Sequence, residues 1–248
     1  MCTVTYIPQS DQQFILTSNR DENAARSPQN ISSITQDGIQ LLFPRDKGAG
    51  GSWIAISETN QVVCLLNGAF EQHRPSPPYR KSRGIMVLEF FAFSSADEFF
   101  QSFVFQGMEP FTMIIFDDGQ LFEFRWDGLH KHVQSLHTKG FYIWSSATLY
   151  DKAVILKREK WFAEWLTRQR FSLDDIMDFH QNAGDGDPLN DVVMNRHGLV
   201  QTVSITNIIK TNDQIQMYYT DLLRTQKKSA GLKLYTSPEH AGMTKGNR

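Results

Sequence analysis

The sequence predicts a layered α+β domain, and three observations carry that prediction. Runs of alternating apolar and polar residues stand at both ends of the chain. Segments with the spacing of amphipathic helices lie between them. No internal repeat, linker or shift in composition divides the 248 residues into halves. One domain is therefore expected over 1–224, followed at 225–248 by a polar, basic tail with the weak patterning of a loose terminus.

The elements follow in order. Strands are expected at 2–7 and 13–18, with "PQSDQ" as the turn between them. The stretch "RSPQNISSITQDG" reads as irregular. Short strands come next at 40–43, 52–57 and 61–66, the last two joined at "SETN". Pro75, Pro77 and Pro78 impose a loop, because proline fixes φ and removes a backbone donor. "SRGIMVLEFFAF" and "SADEFFQSFV" have helical spacing, with Ser95 as N-cap of the second. Strands are expected at 111–117, 120–126, 130–135 and 141–146, with "DDG" making the first turn. "LYDKAVILKREKWFAEWLTRQR" reads as a long amphipathic helix and "SLDDIMDFHQN" as a shorter one. A loop, "AGDGDPLNDVVMNRHG", leads to closing strands at 199–209 and 214–220.

Composition narrows the function. A hydrophobic content of 40% with 18 phenylalanines supports a substantial core, and a net charge of -2 argues against nucleic-acid binding. No apolar run approaches the 18 residues or so of a membrane span. The first residues lack the basic flank and apolar core of a signal peptide. Two cysteines, Cys2 and Cys64, do not make a disulfide framework, so a reducing, cytoplasmic setting is expected. No histidine or cysteine spacing matches a metal motif, and neither metal nor cofactor is called for. "DGDPLND" lacks the ligand spacing of a calcium loop. "GAGGSW" is no phosphate loop; a close backbone approach near the active site accounts better for its glycines. Cys64, within "VVCLL", reads as an inert core thiol.

Cys2 is the residue with chemistry to offer. Pairing the first two strands about Ser10 sets Cys2 opposite Ser18, Val4 opposite Leu16 and Tyr6 opposite Phe14. Val4, Tyr6, Phe14 and Leu16 then share one face, and Arg20 projects to the same face as Cys2. With Met1 removed, Cys2 carries a thiol of ordinary pKa about 8.5 beside an α-amine of about 7.7–8.0. Nucleophile and general base then sit on one residue. Arg20 would favour the thiolate or hold an anionic group, and Asp21 would orient the amine or Arg20. Asn67, ending a strand in "LLNG", is the first candidate for an oxyanion donor.

Five ordered motifs carry a family resemblance: "MC" at the start, "NRDE" at 19–22, "GGSW" at 50–53, "LLNG" at 65–68 and "WSSATLYD" at 144–151. Together they resemble the NRDE, or transport and Golgi organization protein 2, family over roughly residues 2–220. The resemblance implies an N-terminal-nucleophile (Ntn) hydrolase scaffold, a four-layer αββα sandwich of two antiparallel sheets flanked by helices. It implies that Cys2, Arg20 and Asp21 stand where the cysteine branch of those hydrolases has its nucleophile, arginine and aspartate. Asn19, Trp53 and Ser146 are then expected on the substrate side. Two positions depart from the family pattern: Ser146, in "SSAT", where the animal branch has Asn, and Val203, in "TVSIT", where relatives often have Arg. The expected activity is amide hydrolysis on a small-molecule amide or acyl substrate. The resemblance also leaves a second reading, a non-catalytic binding or trafficking protein with a haem- or lipid-type ligand on the same scaffold.

Overall fold

The computed structural model describes residues 3–235. The first four strands are β1 (Thr3–Ser10), β2 (Gln13–Glu22), β3 (Ile31–Gln36) and β4 (Ile39–Pro44). β5 (Ile54–Ser57) and β6 (Gln61–Asn67) follow, then helices α1 (Arg83–Glu89) and α2 (Ala96–Ser102). Next are β7 (Phe111–Asp117), β8 (Gln120–Trp126), β9 (Lys131–Leu136) and β10 (Tyr142–Ser145). Helices α3 (Lys152–Leu166) and α4 (Leu173–Asn182) precede β11 (Asn195–Arg196), β12 (Val200–Lys210), β13 (Gln214–Asp221) and β14 (Gln226–Lys233).

These strands make two antiparallel sheets of seven. The first runs β10-β1-β2-β12-β13-β14, with β11 on β12; the second runs β3 to β9 in chain order. Period-2 alternation gives each strand one face toward the other sheet and one toward a helical layer. Val4, Tyr6, Phe14 and Leu16 turn inward and join the core shared with the second sheet. There the Phe14 and Phe116 rings meet at 4.8 Å. Ile7 and Ile15 turn outward and pack with Phe162 and Trp165 of α3 and Ile176 and Phe179 of α4. On the far side, Phe100 of α2 stacks on Phe124 of β8 at 5.0 Å. Burying each such side chain stabilises the fold by roughly 1.5–3 kcal/mol. The layers run helix, sheet, sheet, helix, as the motif resemblance implied.

The local signals hold in several places. The Ser95 side chain accepts from the Glu98 N–H as N-cap of α2. The Asp118-Gly119 turn between β7 and β8 has φ of +40° and +91°. Positive φ at both central residues suits the right-handed twist of a two-residue hairpin.

Four expectations change. β1 and β2 pair with Val4 opposite Ser18 and Tyr6 opposite Leu16, two residues from the register expected. The tight turn falls at Asp11-Gln12, and an irregularity between Pro8 and Ser10 takes up one residue. A shift of two leaves every side chain on its face. The "ISSITQ" segment, read as irregular, is β3, a polar edge strand whose half-exposed residues hide its alternation. β10 leaves the run of strands before it and pairs with β1. The expected loose tail begins instead with β14, whose residues pair with β13 from Gln226 to Lys233.

Candidate active site

The end of β2 sorts its polar residues by parity. Ser18 and Arg20 turn toward the second sheet, whereas Asn19 and Asp21 turn toward the helices. Arg20 is 3% exposed. Its guanidinium carbon lies 4.1 Å from the centroid of the Trp53 ring. A side-chain ion pair with Asp46 holds it, and it donates to the Arg26 carbonyl at 3.3 Å. The Glu22 carboxylate lies 3.8 Å away. Burial lowers the Arg20 pKa against the opposing pull of Asp46 and Glu22, but a guanidinium keeps its proton. Asp46 is fixed by the Gly48 and Ala49 N–H groups, at 2.7 and 2.9 Å, and by Arg26 at 2.9 Å. Burial pushes its pKa up, yet the Ala49 N–H, Arg20 and Arg26 outweigh burial and hold it below the usual carboxylate value.

The "GAGGSW" segment brings Trp53 to this place by close backbone approach. A Cβ on Gly51 would stand 2.2 Å from the Gly84 carbonyl carbon at the start of α1. Only glycine permits that contact, and it lets the Ser52 N–H donate to the Gly84 carbonyl at 3.0 Å.

Asn67 closes β6, followed by Gly68 at φ +82°, a conformation suited to glycine. Ser146, expected as a second substrate-side donor, instead donates its hydroxyl to the Asn67 backbone carbonyl at 2.8 Å. The Thr148 N–H reaches the same carbonyl at 3.4 Å. Ser146 therefore fixes the backbone that presents Asn67. Among the described residues, the Asn67 side-chain amide has no hydrogen-bond partner.

Arg20, Trp53 and Asn67 line one cavity of about 360 Å³. The sequence reading gave no role to Arg26, Asp46, Lys81, Arg83 and Glu109, which also line it. Arg83 pairs with Glu109 at 2.9 Å, and His73 reaches the same carboxylate at 3.2 Å. Lys81 pairs with Glu89. The signal for Lys81 and Arg83 was the basic run "HRPSPPYRKSR" beside the proline loop. Val203 is fully buried, and the cations lining the cavity, Arg20, Arg26, Lys81 and Arg83, come from β2, the turn after it and the start of α1.

Asn19 and Asp21 do not line that cavity. The Asn19 amide donates to the His180 and Val192 carbonyls at 2.9 and 3.0 Å, and its oxygen faces the His180 Nδ1 at 2.5 Å. Nε2 of the same ring meets the Thr5 hydroxyl at 2.7 Å. Burial, helped by Arg158, pushes the His180 pKa down to about 3, so the ring is neutral. Asp21 accepts from the Tyr150 hydroxyl at 2.7 Å and the Thr202 hydroxyl at 2.5 Å. Strand alternation, applied to β2 in advance, separates Asn19 and Asp21 from Arg20. Cys64 is fully buried and its thiol is pushed up to about 12 by burial, as an inert core thiol requires. Cys2, the expected nucleophile, lies outside the described residues. Among the described residues no group of three His, Cys, Asp or Glu is placed to hold a metal ion. No described helix is long and apolar enough to cross a membrane.

Comparison with known proteins bears on the family and the fold. The family model for Transport and Golgi organisation 2 matches residues 1–228. A comparison with curated proteins gave no match. Among solved structures, an arginine-to-leucine variant of conjugated bile acid hydrolase from Clostridium perfringens aligns with a TM-score of 0.56 at 12% identity, over 95% of this chain and 97% of that one. A cysteine-to-alanine mutant of the same hydrolase gives a TM-score of 0.57 at 11% identity, over 96% and 97%. The Caenorhabditis elegans orthologue of N-acylethanolamine-hydrolyzing acid amidase aligns at 0.47 and 13% identity, over 84% and 92%. The bile acid hydrolase alignments identify the fold as that of the Ntn hydrolases.

Proposed function

This chain belongs to the Transport and Golgi organisation 2 family, and on that premise we propose that it is an N-terminal-cysteine amidohydrolase acting on a non-peptide carbon–nitrogen amide. One observation carries the reading. Arg20 and Asn67, from different sheets, line a single cavity at the end of β2 where the first strand begins. Thr3 pairs with Asn19, the residue before Arg20. Thr3 is the residue that follows Cys2 in the chain.

In this reading Met1 is removed. The free α-amine of Cys2 takes the thiol proton as sulfur attacks the amide carbonyl. The Asn67 side-chain amide donates to the oxyanion. The carbon–nitrogen bond then breaks, the proton passes from the amine to the leaving nitrogen, and a thioester remains. Water, deprotonated by the same amine, attacks the thioester; the acid departs and the thiol regains its proton. Arg20, clamped by Asp46 and Trp53, supplies a fixed positive charge. Asp21 orients the amine from the opposite face of β2, itself held by Tyr150 and Thr202. Ser146 acts through Asn67 as a positioning residue.

The test is trapping of the acyl-enzyme. A panel of N-acyl anilides is screened against the wild-type chain and Cys2→Ala, with mass spectrometry of the quenched protein. The expected result is anilide turnover with an acyl adduct on Cys2 that hydroxylamine removes, both lost in the variant. Full activity of Cys2→Ala on a turned-over substrate contradicts the proposal.

A further inference from the structure

A second cavity, of about 750 Å³, opens at the other end of the sandwich, among the turns that follow β1, β5, β7 and β12. Its chemistry differs from that of the site above. Lys210, the last residue of β12, lines it while only 2% exposed. The Lys210 ammonium donates to the Thr211 carbonyl at 3.1 Å and lies 5.4 Å from the centre of the Phe116 ring. Among the described residues no carboxylate comes within the 4.0 Å of an ion pair. An ammonium carries three donors, and one bond leaves two of them unfilled in a setting where burying a charge is costly.

Asp118 also lines the cavity, near enough to favour the charge on Lys210 yet beyond the 4.0 Å of an ion pair. One of its oxygens accepts from the Asn60 amide at 2.9 Å. The Asn60 backbone carbonyl accepts from the Asp118 N–H at 3.3 Å, and the side-chain Oδ1 of Asn60 is buried away from the cavity. The other lining carboxylate, Asp117, is already engaged by the Gln61 amide at 3.0 Å and the Ala96 N–H at 2.7 Å. The cavity thus holds a cation short of acceptors and, beyond ion-pair distance of it, a carboxylate with a single hydrogen bond. A simple anion would meet Asp118, and a simple cation would meet Lys210. A molecule bearing both charges satisfies both ends, and Ile39 and Phe93 add apolar wall.

We propose that this cavity is a binding site for a small zwitterion, an amino acid or dipeptide. Its carboxylate pairs with Lys210, and its ammonium meets Asp118. The site is independent of the amidase reading and has no part in that reaction.

Calorimetric titration of the full chain tests it. The probes are L-phenylalanine and glycyl-phenylalanine, with 3-phenylpropionate and phenethylamine as analogues that each lack one charge. Saturable binding of at least one zwitterion is expected, with both analogues weaker by about tenfold or more, since each lost charge pair is worth at least one decade of affinity. Lys210→Met should lose the zwitterion by about tenfold or more. Asp118→Asn, a substitution suited to the positive φ at that position, should weaken the zwitterion while sparing 3-phenylpropionate. Absence of binding by both zwitterions at millimolar concentration overturns the proposal, as does unchanged affinity in Lys210→Met. Should that variant fail to fold, the wild-type comparison decides: analogues that bind as well as the zwitterions overturn the proposal.

Discussion

Arg20 of the first sheet and Trp53, the residue before β5 of the second, meet across the mouth of the sandwich, guanidinium carbon to ring centroid 4.1 Å. The contact joins the two layers at the point where the candidate chemistry lies. Its rigidity depends on Asp46, which neutralises Arg20 and is itself tied to two backbone N–H groups.

Asp46→Asn removes the principal counter-charge of a buried guanidinium and leaves Glu22 at 3.8 Å. Breaking a buried pair from one side costs about 3–5 kcal/mol, and urea unfolding should show a loss near the lower end of that range. The folded Asp46 pKa lies below the ordinary 3.8. Its contribution is therefore complete above that value and lost as pH falls through the lowered one. The variant should lack that part of the wild-type acid destabilisation.

Asn67→Ala should reduce kcat by about 10²–10³ with little change in KM, because an oxyanion donor acts in the transition state. Ser146→Ala should give a smaller loss, about tenfold, in keeping with one hydrogen bond to the Asn67 backbone. Steady-state kinetics on a substrate found in the anilide screen measures both. A Ser146 effect equal to that of Asn67 would assign Ser146 a direct role.

His180 predicts a pH dependence of stability. Its folded pKa, about 3, lies below the ordinary 6.5. Between those values the unfolded chain binds the proton and the folded chain does not, so stability falls as pH falls. The slope for one proton is about 1.4 kcal/mol per pH unit, or about 2 kcal/mol between pH 6.5 and 5. His180→Gln should flatten the wild-type slope by that amount in urea titrations at the two pH values.

What the sequence disclosed and what it withheld have physical causes. Alternation in β1 and β2 revealed which residues face the shared core, because that signal depends only on parity. It missed the register by two, because a shift of two leaves every side chain on its face and so leaves no trace in the alternation. β3 was hidden because an edge strand exposes both of its faces in part. Arg20, Trp53 and Asn67, each ending or entering an apolar strand beside a polar motif, were singled out in the sequence and line one cavity. Asp46 was not, since its role depends on a loop whose path the local sequence does not dictate. Asn19 looked equivalent to Arg20 in "NRDE", yet strand geometry sends it to the helical layer and to His180.

The most direct test of the central claim is intact-mass analysis of the native chain after brief iodoacetamide treatment at neutral pH, with the labelled peptide mapped. The account predicts a chain lacking Met1 and carrying one fast label on Cys2, with Cys64 unlabelled until denaturant is added. Retained Met1, or a Cys2 thiol no faster than an unperturbed one, would contradict it.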